Sequence, residues 1–279
     1  MTAVAAGNNH SIALRADGVP MASGYNQFGG LGIGTTAQAT NFTPVASLGG
    51  IAGVAAGMYH SLFAGTNGHV WACGYGAAGQ LGTGATGNQL SPVAVPGLFN
   101  VTAVACASLT SYALDADGRV HAFGQNLYGQ IGDGTTVNRL SPVLVGGLSN
   151  ITAIAAGGSQ ALAVDGAGQA WAWGRNTHGQ LGLGTTNDQW QPVPVPGVTN
   201  AVAVAAGNDT CYILREDGAV AASGLGASGQ LGNGGWDSTN IFISVPGVAG
   251  AEGVAAGSAF VFVRGTNGCL AAAGDKRVY

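Results

Sequence analysis

The chain has 279 residues, of which 47% are hydrophobic, 7% are charged and 51 are glycine, with a net charge of −4. Its cations are one lysine, Lys276, and seven scattered arginines, whereas a nucleic-acid groove needs grouped cations to displace counterions from phosphates; DNA and RNA are therefore not expected partners. No run of 18 apolar residues exists to span a bilayer, so no membrane role is expected, and Met1–Gly7 has neither the basic nor the long apolar region of a signal peptide, which leaves the compartment open.

From the N-terminus onward, one segment returns every 50 residues without insertion or deletion: Ala3–Gly7, Gly53–Gly57, Ala103–Ala107, Ala153–Gly157, Ala203–Gly207 and Gly253–Gly257. A second recurs five times, as Gly29-Gly30-Leu31-Gly32, Gly79-Gln80-Leu81-Gly82, Gly129-Gln130-Ile131-Gly132, Gly179-Gln180-Leu181-Gly182 and Gly229-Gln230-Leu231-Gly232. No linker or change of composition interrupts the series. The chain therefore reads as one domain with repeats 1–50, 51–100, 101–150, 151–200, 201–250 and a partial 251–279.

Each period holds four short strand signals. In the third, strand A is expected at about Thr102–Ala105 and strand B at about Ser111–Leu114. Asp117-Gly118 then reads as a hairpin pair in which both central residues take positive φ. Strand C follows at about Val120–Phe123, then a long glycine-rich loop, then strand D at about Pro142–Val145. Four short strands per 40–50 residues is the pattern of a β-propeller, here with about six blades. Strand A is small, nearly all alanine and valine, which suits the innermost position. Strands B and C carry the bulk and are apolar on both faces, as a sheet between two neighbours must be. Strand D carries Pro92, Pro142, Pro192 and Pro194, and proline belongs on an edge. Six copies of A, B and C stand against five of D, so the sixth blade should lack its outer strand. The tail Asp275–Tyr279 is a candidate for a fragment of it, and self-association follows if the ring needs a second copy to close.

The four cysteines, Cys73, Cys106, Cys211 and Cys269, fall at different places in their repeats and show no CxxC spacing, so neither a disulfide framework nor a zinc site is expected. The first three read as small core hydrophobes and Cys269 as incidental. Among the histidines, His10 and His60 sit at the A–B turn where other copies have Thr110, Gln160, Thr210 and Phe260. A catalytic or metal role is weighed against a hydrogen bond to loop backbone within the same blade, and the latter is expected. His69 and His121 read as solvent-side strand residues. The GQLG segments open no helix and precede no GKS or GKT, so they are not phosphate cradles; their glycines permit tight backbone paths. No cofactor and no metal are expected.

The run Gly174-Arg175-Asn176-Thr177-His178-Gly179-Gln180-Leu181-Gly182-Leu183-Gly184-Thr185-Thr186 resembles the repeat of the regulator of chromosome condensation family. So do Pro192-Val193 and Val195-Pro196-Gly197, and Gly57–Leu62 with Asn67-Gly68 and Trp71-Ala72. The likeness covers essentially the whole chain. It implies a propeller, commonly seven-bladed, acting in protein–protein recognition. The name-giving member exchanges guanine nucleotide on a small GTPase and docks on chromatin, and bacterial relatives include inhibitors and secreted effectors. Here all periods are equal, leaving no inserted exchange wedge, and no basic arm is present. Nucleotide exchange thus ranks below simple protein binding.

Alternating strands bring the A–B turns and C–D loops to one end of each blade and the B–C hairpins to the other. The hairpin end is monotonous, whereas the other end differs in every copy. It carries Tyr25 and Phe28, Met58 and Tyr59, Tyr75, Leu109, Tyr128, Arg175 and His178, and Trp236 where other copies have threonine. Tyrosine, tryptophan and arginine are favoured interface anchors, and loops on rigid scaffolds carry function. These ten residues are the candidate protein-binding set. A lectin with one sugar pocket per blade is the alternative, although repeated sites should look alike. An enzyme is not expected, since the closest approach to a catalytic pair is Asp209 with His178.

Overall fold

The computed structural model describes residues 1–275, and all regular structure among them is strand. The chain forms two compact units, Met1–Leu127 with Thr135–Leu148, and Tyr128–Gly134 with the chain from Ser149 on. The first unit holds three antiparallel sheets of four strands. They are β1 (Ala3–Ala6), β2 (His10–Leu14), β3 (Pro20–Gly24) and β4 (Ala39–Pro44); β5 (Ile51–Ala56), β6 (His60–Gly65), β7 (Val70–Gly74) and β8 (Gln89–Ala94); and β9 (Val101–Cys106), β10 (Thr110–Asp115), β11 (Val120–Gly124) and β12 (Arg139–Leu144). The second unit holds β13 (Ile151–Ala156), β14 (Gln160–Asp165), β15 (Ala170–Gly174) and β16 (Gln189–Pro194); β17 (Ala201–Ala206), β18 (Thr210–Arg215), β19 (Val220–Gly224) and β20 (Thr239–Ser244); and a three-stranded sheet of β21 (Ala251–Ala256), β22 (Phe260–Gly265) and β23 (Leu270–Gly274). The fold is an all-β, six-bladed β-propeller whose sixth blade has three strands among the described residues. Beyond Asp275, the tail considered for a sixth outer strand lies outside those residues.

Two local expectations need correction. The B–C hairpin is not a two-residue turn. The Asp115 N–H donates to the Arg119 carbonyl at 3.0 Å and the Gly118 N–H to the Asp115 carbonyl at 3.0 Å, enclosing three residues. Of these only Gly118 is left-handed, at φ 72°, which is a type I turn closed by a glycine bulge. Strand D begins earlier than its proline suggests, at Arg139 rather than Pro142. Val143 faces Ala122 and Arg139 faces Gly124, so Leu140, Ser141 and Pro142 bulge opposite Phe123 alone. The N–H that proline lacks thus falls where the ladder is already interrupted, on an outermost strand. The same irregularity recurs in the other four-stranded blades.

Stacked sheet faces make the core. In the first unit Ile12, Leu14, Ala22 and Leu31 pack with Phe63 and Cys73 of the next blade, and Leu62, Val70 and Leu81 pack with Val101, Ala113 and Phe123. In the second, Leu162, Ala172 and Leu181 meet Cys211 and Ile213, and Tyr212, Leu214 and Leu231 meet Val261 and Val263. Cys73 and Cys211 are buried as expected and Cys106, half-buried, packs against the core of the first unit; burial raises the thiol pKa of all three, and Cys269 is exposed.

A polar seam accompanies this packing. In four of the five glycine-rich loops one carbonyl reaches the following blade and finds a donor there. Ser61 Oγ donates to Gly30 O at 2.7 Å, Ser111 Oγ to Gln80 O at 2.7 Å, Trp173 Nε1 to Gln130 O at 2.9 Å, and Ser223 Oγ to Gln180 O at 2.7 Å. After Gln230 the corresponding positions are Val261 and Ala273, which offer no donor. The Tyr212 hydroxyl from the same blade donates to Gln230 O instead, at 2.7 Å.

The A–B histidines belong to this seam rather than to their own loops. His10 Nε2 lies 2.8 Å from Ser61 Oγ and His60 Nε2 3.0 Å from Ser111 Oγ, each crossing to the next blade. Because each serine gives its one proton to a carbonyl, the histidine Nε2 carries the hydrogen. Gln160 makes an equivalent crossing, Nε2 to Gly207 O at 2.8 Å, while Thr110 stays in its blade, Oγ1 to Gln125 O at 2.8 Å. His121 is also not simply solvent-side, since its Nε2 lies 3.0 Å from Asp115 Oδ2.

Two expectations for stability follow. Burial lowers the pKa of His10 to about 4 and of His60 to about 3, the latter helped by repulsion from His10. Both stay neutral in the fold but gain a proton on unfolding below about pH 6.5. Their contribution is therefore intact above about 6.5 and is lost as pH falls toward 4, by up to about 1.4 kcal/mol per pH unit for each. Urea unfolding between pH 7 and 4.5 should show this slope, and the double variant His10→Gln/His60→Gln should flatten it; an unchanged slope would refute the assignment. Separately, Ser223→Ala strips the Gln180 carbonyl of its donor and should cost about 1–3 kcal/mol, against less than about 0.5 kcal/mol for the exposed Ser244→Ala.

Candidate partner-binding surface

The loops that carry the candidate residues are held by backbone before any side chain matters. The residue after each strand C donates its N–H to the A–B turn of the same blade. Tyr25 bonds Asn9 O at 2.9 Å, Tyr75 bonds Tyr59 O at 3.0 Å, Gln125 bonds Leu109 O at 2.9 Å, Arg175 bonds Ser159 O at 2.9 Å and Leu225 bonds Asp209 O at 2.9 Å. The two connections therefore share one end of each blade. Buried asparagines then fold the long loop back. Asn26 Nδ2 donates to Thr35 O and Ala37 O at 2.8 and 2.9 Å while its Oδ1 accepts from Leu31 N–H at 2.9 Å, and Asn176 repeats the pattern. The glutamine of the GQLG segment fixes the residue two places earlier. Gln130 Oε1 accepts from Tyr128 N–H at 2.9 Å and Gln180 Oε1 from His178 N–H at 3.0 Å.

In the first unit the structure gathers four candidates into one cluster. Phe28 lies at its centre, 5.1 Å from Tyr59, 5.0 Å from Tyr75 and 6.2 Å from Tyr25 between ring centroids. Tyr59 also meets Tyr25 at 5.7 Å and Tyr75 at 6.3 Å. All contacts are tilted or edge-on, the arrangement that aromatic quadrupoles favour, and all four rings are half-buried. The first blade has Gly30 where others have glutamine. A Cβ there would stand 2.9 Å from Tyr59 O, so the glycine allows the Tyr59 backbone its close approach to this loop. The Tyr25 hydroxyl is held by Gln27 Oε1. Neither the loop tip Tyr25–Phe28 nor Met58, Tyr59 and Tyr75 includes a charged residue. Met58 and Leu109 are half-buried, and the Met58 N–H donates to Ser108 O at 2.9 Å.

The second unit offers a different arrangement. The Arg175 guanidinium lies over the Tyr128 ring at 5.4 Å and is paired with Asp209 Oδ1 at 3.2 Å. Gln180 Nε2 also reaches Asp209 Oδ1, at 3.5 Å. Arginine is thus aimed by a carboxylate and an aromatic face while a third of its side chain stays exposed. Asp209 is committed to Arg175 and Gln180, and no bond to His178 is present among the described residues, so the catalytic pair weighed from sequence does not form. His178 is half-buried with its backbone held by Gln180. Trp236 is 69% exposed, with its ring edge over Gly229 of its own loop. Among the described residues no three His, Cys, Asp or Glu side chains gather at metal-binding range.

Sequence reading missed the large side chains on outer strands. Phe42, Leu90, Leu140, Trp190 and Ile241 are all 38–52% exposed. With strand D started at its proline, residues such as Trp190 read as loop. The available signal was an apolar β-former between glutamines, Gln189-Trp190-Gln191, just ahead of Pro192.

Comparison with known proteins agrees with this architecture. The family model described as the RCC1-like domain matches residues 1–263. Yeast RCC1 (Prp20), solved bound to Kap60, superposes with a TM-score of 0.86 at 23% identity, over 98% of this chain and 69% of that one. A second structure of Prp20p from Saccharomyces cerevisiae gives 0.86 at 24% identity, over 98% and 71%. Human WBSCR16 gives 0.81 at 26% identity, over 91% and 69%. No curated protein sequence matches at a significant level. A model covering all but the last stretch of the sequence, on a fold of matching blades, shows that the chain belongs to the RCC1-like domain family.

Proposed function

We propose that the chain is a protein-binding propeller that performs no chemistry of its own and captures its partner through the A–B turns and C–D loops. The observation that carries this reading is the contiguous Tyr25–Phe28–Tyr59–Tyr75 cluster, half-exposed and free of charge. A small chain does not ordinarily leave four touching aromatic rings at loop tips unless they meet something. Their rotamers are limited by mutual contact, so little entropy remains to be lost on binding. In the second unit, Arg175 is presented in a fixed pose by Asp209 and Tyr128, a second kind of anchor. Among relatives, yeast RCC1 has been solved bound to Kap60, and Prp20p has been studied for its binding to Gsp1p and histones. Those partners support a protein ligand here as a class, and nucleotide exchange on a GTPase remains the less favoured reading because the equal periods leave no inserted wedge.

The test is affinity capture from the native host with mass spectrometry, repeated with Tyr25→Ala/Tyr59→Ala/Tyr128→Ala/Arg175→Ala. Hot-spot aromatic and arginine side chains each contribute about 2 kcal/mol or more, so the variant should retain partner at least tenfold less well while melting as a folded protein. Equal capture by both proteins would count against these loops.

A further inference from the structure

We propose that the outer strand of the fourth blade carries a binding site for a neutral saccharide, with Trp190 as its stacking platform. The site lies on β16, and none of its lining residues belongs to the proposed protein-binding set, so it does not depend on that reading. The register of β16 against β15 shifts between Ala172 and Gly174. The bulge leaves Trp190 and Gln191, which are consecutive, both turned to solvent, and Trp190 is 52% exposed. They border an open trough of about 480 Å³ together with Gly134, Asp188, Gln189 and Pro192, within the range of about 300–1,000 Å³ typical of small-molecule sites.

The platform is fixed from below by two loop glycines. A Cβ at Gly129 would stand 2.5 Å from Trp190 Cα and 2.6 Å from its Cδ1, so only glycine lets the tryptophan lie there. The Gly134 N–H donates to Trp190 O at 2.9 Å. Around it stand polar groups with capacity to spare. The Gln191 amide makes no hydrogen bond among the described residues. Asp188 Oδ1 accepts from Asn176 N–H at 2.7 Å, leaving Oδ2 unpaired among them, and Gln189 Nε2 donates to Asn187 O at 3.3 Å, leaving its Oε1 open.

A pyranose has one face of C–H groups and an edge of hydroxyls that each donate and accept. A flat indole suits the first, and planar amides with a carboxylate suit the second. The one charged lining residue, Asp188, is negative and no cation lines the trough, which disfavours phosphorylated, sulfated or sialylated ligands. At the position of Trp190 the other outer strands carry Thr40, Leu90, Leu140 and Asn240, and at that of Gln191 they carry Asn41, Ser91, Ser141 and Ile241. The chain would therefore hold one such site rather than one per blade.

The experiment is an array of neutral mono- and oligosaccharides, with each hit titrated by tryptophan fluorescence and calorimetry. Saturable binding is expected for at least one neutral glycan, weakened at least tenfold by Trp190→Ala, several-fold by Gln191→Ala, and partly restored by Trp190→Phe. Trp236→Ala, which removes the other most exposed indole, should leave it unchanged. Retention of no neutral glycan, or binding that survives Trp190→Ala, would overturn the proposal. Neither result would bear on protein capture through the loops.

Discussion

No blade can bury its own sheet. Four strands of four to six residues make a sheet that is apolar on both sides, and both sides need another sheet against them. Strands β6 and β10 are buried at every residue, which no two-faced alternation could achieve. Phe63 reaches back to the blade before it, while Leu62, one residue earlier in the same strand, reaches forward to the blade after it. The constant 50-residue period follows from this constraint. A blade of different size would present a face that did not match its neighbours on either side.

The polar seam is the second consequence. Pressing sheets together buries the carbonyl of each glycine-rich loop, and a buried carbonyl left unpaired is costly. The acceptor is the same in each copy, but the donor changes among serine, tryptophan and tyrosine. The position thus demands a proton and not a particular residue. His10 and His60 extend the seam by one more bond, and Gln160 shows another side chain bridging to the next blade. Neutral histidine fits because its Nε2–H donates without placing a charge in the stack.

Because the stack and seam hold the loops by backbone and by buried amides, the loop side chains facing outward are released from structural duty. One unit uses that freedom for a tyrosine and phenylalanine cluster and the other for an arginine steered by a carboxylate and a ring. Membership of the RCC1-like domain family accounts for the scaffold. It does not account for these side chains, since one scaffold carries many functions.

The repeat period, the four strands per blade, the six copies with one short, and the family were all legible in the sequence, because glycine pairs, small strand A residues and prolines recur at fixed intervals. The candidate loop residues were legible as a set that varies while its surroundings do not. Their grouping was not, since contacts between residues 25, 28, 59 and 75 depend on how one blade leans on the next. The same cause misplaced other details. Pro142 marked the bulge and not the start of its strand, Asp117-Gly118 closed a three-residue turn, and His10 and His60 bonded forward into the next blade. Local pattern sets where strands begin and end to within a few residues, because φ and hydrogen-bond capacity are properties of each residue. Which side chains meet across a packed interface is set by the approach of two sheets, and only the tertiary structure decides it.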